Sequence, residues 1–182
     1  MIFLRIHFNA SIWLARCLGR IIPGAVAHLP DSVEGATDMA VKRMDNVLVV
    51  VDDLEAVKAF FIELGLEFEG ETTVEGPSIG SLIGLQDVRA TLAMLRTPDG
   101  QGIELDKFHT PSPVRFGPVN APVNAMGFRR IMFAVDDIDE VVARMQAHGA
   151  ELIGRMEYEK SYRLAYIRGP EGIIVGLAEQ LG

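Results

Sequence analysis

Residues 47–70 read VLVVVDDLEAVKAFFIELGLEFEG, and residues 131–154 read IMFAVDDIDEVVARMQAHGAELIG. Laid together without a gap, the two stretches match at Val51/Val135, Asp52/Asp136, Asp53/Asp137, Val57/Val141, Ala59/Ala143, Gly65/Gly149, Glu67/Glu151 and Gly70/Gly154. Two Asp-Asp pairs and two glycines in one register mark an internal repeat, and a repeat governs every later reading of the chain. Each copy opens with a β-branched run that predicts a strand, 47–51 and 131–135. The Asp-Asp pair then supplies the start of a helix. Asp52 with Glu55, and Asp136 with Asp139, place acceptors and negative charge at the exposed first amides. Leu54, Val57, Phe61 and Leu64 form one apolar stripe, and Ile138, Val141, Val142 and Met145 form the other. Gly65 and Gly149 stand where a left-handed residue ends a helix. A strand follows each glycine, so the unit is strand, helix, strand and then further strands.

The chain has 182 residues, 49% of them hydrophobic, enough for one domain or two small ones with a real core. A net charge of −8 argues against a nucleic-acid partner, which selects a basic face. The single cysteine, Cys17, excludes an internal disulfide and a cysteine-rich zinc site, and fits a reducing, cytoplasmic setting. With no apolar run of about 18 residues, no membrane partner is expected.

Residues 1–40 differ from the rest. Arg5, Arg16 and Arg20 occur there, and no acid precedes Asp31. Three readings stand: a secretory signal cleaved after Ala25-Val26-Ala27, an amphipathic targeting helix, or an extension upstream of a start at Met39. On any of them this segment is an extension outside the fold. Module one is expected over 41–108, with turns at Glu75-Gly76-Pro77, Gln86-Asp87 and Pro98-Asp99-Gly100. The apolar stretch 81–85 lies between the first two turns, and strands are predicted over 89–95 and 103–108. Pro111, Pro113, Pro118 and Pro122 make 109–125 an extended linker. Module two is expected over 126–182, with strands at 163–167 and 173–178 around the turn Gly169-Pro170-Glu171-Gly172. The turns Pro98-Asp99-Gly100 and Pro170-Glu171-Gly172 match, so the repeat covers both modules.

Two βαβββ modules in one α+β chain resemble the vicinal oxygen chelate superfamily, which includes glyoxalase I, extradiol dioxygenases, epimerases and bleomycin-resistance proteins. The resemblance is carried by VVVDDLEAVKAFFIELGLE, TPDGQGIELDKF, AVDDIDEVVARMQAHGAEL and GPEGIIVGLAEQ. It implies that metal-dependent members take two ligands per module, one on the first strand and one on the last. Here those positions hold Asn46 and Glu104 in module one, and Arg130 and Gly176 in module two. Asn46 is a weak neutral donor, Arg130 is a permanent cation that only donates hydrogen bonds, and Gly176 has no side chain. One carboxylate, one amide and a guanidinium do not make a divalent site. The expectation is no metal and no cofactor. Of the histidines, only His109, five residues past Glu104, is near enough to reach a cavity rim.

Strand alternation fixes which residues share a face. With Asn46 inward, so are Leu48 and Val50. With Glu104 inward, so are Gly102 and Asp106. With Arg130 inward, so are Met132 and Ala134, and Gly176 brings Ile174 and Ala178. An apolar surface with a few polar points is the composition of a small-molecule site. The expected ligand-binding set is Asn46, Leu48, Glu104, Arg130, Met132 and Gly176, with Tyr158, Tyr162 and Arg163 as further contacts and Glu104 ion-paired to Arg130. The first functional reading is a metal-independent protein of the bleomycin-resistance type that sequesters an amphipathic organic compound such as an antibiotic or toxin. The alternative is a glyoxalase-like lyase or isomerase, or a dioxygenase, with an atypical site. A structural relative without ligand is the third reading. Resistance-type relatives complete their cavities across two chains, which implies a homodimer.

Overall fold

The computed structural model describes residues 44–158 and 161–181; the extension 1–40 lies outside the described residues. Module one runs β1 (Asn46–Val50), α1 (Leu54–Leu64), β2 (Glu67–Glu75), α2 (Pro77–Ile83), β3 (Arg89–Arg96) and β4 (Gly102–Thr110). Module two runs β5 (Ile131–Ala134), α3 (Ile138–Ala147), β6 (Glu151–Tyr158), β7 (Tyr162–Arg168) and β8 (Ile174–Gln180), with a short 3-10 turn at Pro170–Gly172. Each module is one four-stranded sheet. The orders are β1-β4-β3-β2 and β5-β8-β7-β6, with the first pair parallel and the rest antiparallel. This is the α+β architecture of two βαβββ modules that the repeat predicts. The modules differ in elements at the 3-10 turn Pro170–Gly172 and around the stretch 81–85. Pro77 at the first helical position and Gly76 at φ +103° start the short helix α2 there. Module two passes from Tyr158 at the end of β6 to Tyr162 at the start of β7 without a counterpart.

Both long helices start one residue later than the acidic pairs suggest. The N–H of Val51 bonds the Asp106 carbonyl and that of Val135 bonds the Ala178 carbonyl, so each parallel ladder continues past its strand. The cap therefore falls to the second aspartate. Asp53 accepts from the Ala56 N–H at 3.0 Å, and Asp137 accepts from Asp139 and Glu140 at 3.0 Å each. The first aspartate of α1 has another part. Its N–H donates to Oε1 of Glu171 at 2.8 Å, and the Asp53 N–H does so at 2.5 Å. Glu171 belongs to module two, so its carboxylate sits at the positive end of a helix in the other module.

The modules share one core. Val57, Phe61 and Leu64 of α1, Val142 and Met145 of α3, and Leu95, Leu105, Ile167 and Leu177 of the two sheets form a single buried cluster. The Phe61 ring meets Phe133 of β5 edge-on at 6.5 Å between centroids. At the far helix ends Arg144 reaches the Glu63 carbonyl at 3.3 Å. The linker is fixed to module two: a Cβ on Gly172, where φ is +80°, would lie 1.8 Å from the Val119 carbonyl oxygen. Only glycine fits there. Among the described residues no helix is long and apolar enough to cross a membrane.

Because Phe61 joins the two modules, Phe61→Ala is expected to lose about 3–5 kcal/mol of stability in urea denaturation. The neighbouring Ile62, 44% exposed, should lose less than about 1 kcal/mol on the same substitution. Equal losses at both positions would mean that the modules do not share a core through α1.

Candidate functional site

The face of each sheet turned away from its helix carries the inward positions. In sheet one β1 and β4 run in register, with Asn46 beside Gly102, Leu48 beside Glu104 and Val50 beside Asp106. Ile103 and Leu105 enter the core, so alternation sends Gly102, Glu104 and Asp106 to the opposite face. A Cβ on Gly102 would lie 3.0 Å from both the Asn46 Cβ and the Asp45 carbonyl oxygen, so the strands meet closely at this point. The Asn46 side-chain amide donates to Oε2 of Glu104.

Both carboxylates are buried, Glu104 at 7% and Asp106 at 6% exposure, while Leu48 and Val50 beside them are 49% and 46% exposed. The acids are thus set back under an apolar rim. Oδ1 of Asp106 is buried and has no hydrogen-bond partner. Burial raises the Glu104 pKa above the ordinary carboxylate value, partly offset by the Asn46 amide. For Asp106, burial first and then the charge of Glu104 push the pKa up to about 7. No cation lies within ion-pair distance of either acid among the described residues.

Sheet two has the same topology and opposite chemistry. Met132 pairs with Gly176 across β5 and β8, and Tyr166 of β7 flanks Gly176 on its other side. Arg130, one residue before β5, is exposed, and its guanidinium carbon lies 4.9 Å from the centroid of the Tyr166 ring. A Cβ built on Gly176 would stand 2.8 Å from Met132 Cε, 3.4 Å from Tyr166 Cε1 and 3.5 Å from Arg130 Cδ. Met132 Cε, the free end of a flexible side chain, lies over position 176 and would have to swing aside for a carboxylate there.

The expected ion pair between Glu104 and Arg130 is not formed within the chain. Glu104 bonds Asn46 and Arg130 lies over Tyr166 instead. One of the further contacts also falls elsewhere. Arg163 is on the helix side of its sheet, 2.5 Å from Glu179 and 2.5 Å from Asp139. Glu179 in turn accepts from the Ile138 N–H at 2.9 Å, so this cluster caps α3. The positive neighbour Arg163 and the Ile138 amide hold Glu179 below the usual carboxylate range. His109 points away from the acids and contacts the Thr91 hydroxyl at 2.8 Å. Tyr162 is exposed at the start of β7.

Three features escaped the sequence reading. Tyr166 is the first, and alternation along β7 opposite Gly176 would have found it. The isolation of Asp106 and the capping of α1 by Glu171 are tertiary facts without a local signal. A second concavity lies at the seam between the modules, a cleft of about 320 Å³ between the end of β1, the linker 113–119, the segment 128–131 and the turn 171–174.

The donor set does not suit a divalent ion. Asn46 and Glu104 supply one amide and one carboxylate, Arg130 supplies a positive charge, and Gly176 is walled in by side chains. Among the described residues no group of three or more His, Cys, Asp or Glu side chains is placed to hold a metal.

The sequence pattern of the Glyoxalase/Bleomycin resistance protein/Dioxygenase superfamily matches residues 43–177. A glyoxalase family protein from Bacillus cereus is 51% identical over 78% of this chain and 96% of its own, with a TM-score of 0.74. A glyoxalase family protein from Enterococcus faecalis is 20% identical over 76% of this chain and 98% of its own, with a TM-score of 0.54. A genomically encoded fosfomycin resistance protein from Listeria monocytogenes, solved with Mn(II) and sulfate, is 14% identical over 76% of this chain and 93% of its own, with a TM-score of 0.51. The last two likenesses show the fold alone. No curated protein matches the sequence.

The raised Asp106 pKa has a signed consequence for stability. Below the unfolded value, 3.8, the carboxyl is protonated in both states. As pH rises from there to about 7, the unfolded chain releases the proton and the folded chain keeps it, so stability falls across that window and then levels off. Asp106→Asn is expected to flatten this slope and to unfold at higher urea than the parent at pH 8. Urea denaturation in dilute protein from pH 4 to pH 8 measures it. A slope unchanged by the substitution would contradict the burial of an uncompensated carboxyl.

Proposed function

The chain belongs to the Glyoxalase/Bleomycin resistance protein/Dioxygenase superfamily, and from that membership we propose that it is a metal-independent protein that binds an amphipathic organic compound in a cupped sheet surface. The observation that carries the reading is the filling of the Gly176 position by Arg130, Met132 and Tyr166. Where a metal-binding relative would bring a carboxylate, this chain brings a cation lying on an aromatic ring. The surface around it suits an organic ligand. Leu48, Val50 and Met132 are exposed apolar side chains beside the polar points Asn46, Glu104 and Arg130. Such a mixture removes apolar area from water while a few polar groups orient the bound molecule. Asn46, Leu48 and Glu104 form one wall of the site, and Arg130, Met132 and Gly176 form the other.

The working form in this reading is a homodimer, in which a second copy completes the cup. Sequestration of a toxic or antibiotic compound needs no more than this cup. A single cysteine and an acidic surface suit work in the cytoplasm.

The enzyme alternative draws on one observation. A carboxyl held near pH 7, as Asp106 is, suits proton transfer in a lyase or isomerase. Turnover of a bound compound that is lost in Asp106→Asn would favour that reading.

Elemental analysis and a thermal-shift screen against aromatic and glycopeptide compounds test the binding reading together. The expected result is no stoichiometric divalent ion, no change on adding chelator, and a raised Tm with at least one compound; at about 100 times Kd the ligand adds roughly 2.7 kcal/mol. About one ion per chain, removed by chelator with loss of a measured activity, would contradict it.

A further inference from the structure

The seam cleft of about 320 Å³ lies beside the cup and shares only Val50 and Arg130 with the residues assigned to it. Its walls are fixed from both modules. The linker is tied to module one where Arg115 pairs with Asp52. It is tied to module two where Arg168 donates to the Ala121 carbonyl at 3.2 Å, and where Gly172 packs on the Val119 carbonyl. The stretch between these ties spans the seam and brings Phe116 and Val119 to the cleft. Val114 and Phe128 line it too, and all four apolar side chains are at least 44% exposed. Exposed apolar area gathered in one concavity marks a binding surface, whereas single exposed apolar residues do not.

The charges along the cleft are unevenly matched. Both acids that line it are already engaged: Asp52 pairs with Arg115, and Glu171 accepts two amides at the start of α1. Arg129 and Arg130 line it as well, and among the described residues neither forms an ion pair. Nε of Arg129 donates to the Phe128 carbonyl at 2.8 Å, which anchors the guanidinium and leaves its two terminal nitrogens to donate elsewhere. The Arg130 guanidinium rests over the Tyr166 ring, a contact that uses none of its N–H groups on an acceptor oxygen.

We propose that the seam cleft binds a small amphipathic organic anion, a carboxylate whose head is gripped by Arg129 and Arg130 and whose apolar body lies against Phe116 and Phe128. This is a site beyond the cup, on residues that the linker and the seam supply. A guanidinium matches a carboxylate with two parallel N–H donors, and two neighbouring guanidiniums select an anion over a neutral or cationic body of the same shape. The apolar walls exclude part of the water and strengthen that attraction. The volume stands at the low end of the range for ligand sites, so the body is small. Walls already tied to both modules lose little freedom when the ligand enters.

Calorimetric titration with naphthoate tests this, against naphthylmethylamine as an aromatic body of opposite charge. Naphthoate is expected to bind once per chain with a Kd below about 1 mM. It should bind at least tenfold more tightly than the amine, and more weakly as salt is added. Arg129→Gln and Phe116→Ser are each expected to weaken it at least tenfold. Both side chains lie outside the buried core, so an unchanged urea midpoint separates loss of binding from loss of fold. No binding of naphthoate in that range, equal binding of the amine, or an Arg129→Gln variant that binds as the parent does would overturn the proposal. Naphthoate binding lost in Met132→Ser and kept in Arg129→Gln would place the acid in the cup, so the cleft proposal would fall and the cup reading would stand. A Phe116→Ser variant that sediments at a different mass from the parent would assign this face to a second copy of the chain and would overturn the proposal as well.

Discussion

Two carboxylates two residues apart on one strand, buried and without an ion-pair partner among the described residues, are the constraint from which the account of this protein follows. A buried charge without a partner is costly, so it must take up a proton or find a counter-charge. Asp106 shows the first response, with its pKa raised to about 7. Glu104 has the Asn46 amide, which offsets part of the cost of burial without supplying a counter-charge.

Repetition explains how one chain comes to hold both halves. Each module presents the same face built from its first and last strands. In module one the last strand brings Gly102, Glu104 and Asp106 to that face. In module two the matching strand brings Gly176, and Met132, Tyr166 and the Arg130 stem fill the room it leaves. The two faces have diverged in charge while strand order and register have stayed the same. A pair of equal half-sites that could have gripped one ion between four donors has become an acidic recess and a basic arm. The helix-side core, centred on Phe61 and Phe133, and the Glu171 cap on α1 fix the modules relative to one another.

The local layer of this fold is legible in the sequence. The repeat, the strand-helix-strand order and the apolar stripes are periodic signals, and the side chains that carry them meet their own near neighbours. The faces are legible for the same reason: alternation along β4 places Glu104 and Asp106 together and sends Ile103 and Leu105 to the core. What the sequence could not tell is how faces on different modules relate. The family resemblance put Glu104 opposite Arg130, but alternation fixes the side of a sheet, not which sheet lies across from it. The helix starts were misplaced by one residue because a ladder bond from Val51 to Asp106, over fifty residues away, decides where β1 yields to α1. Helix α2 was not assigned a class because seven residues carry too few turns of periodicity to read.

If a second copy completes the cup, the protein is a dimer in solution. Sedimentation equilibrium measures that most directly. At about 10 μM, where a protein interface of ordinary size is well populated, the account predicts a species of twice the 19.9 kDa chain mass. A chain that remains at its own mass through that range would contradict a cup completed by a second copy.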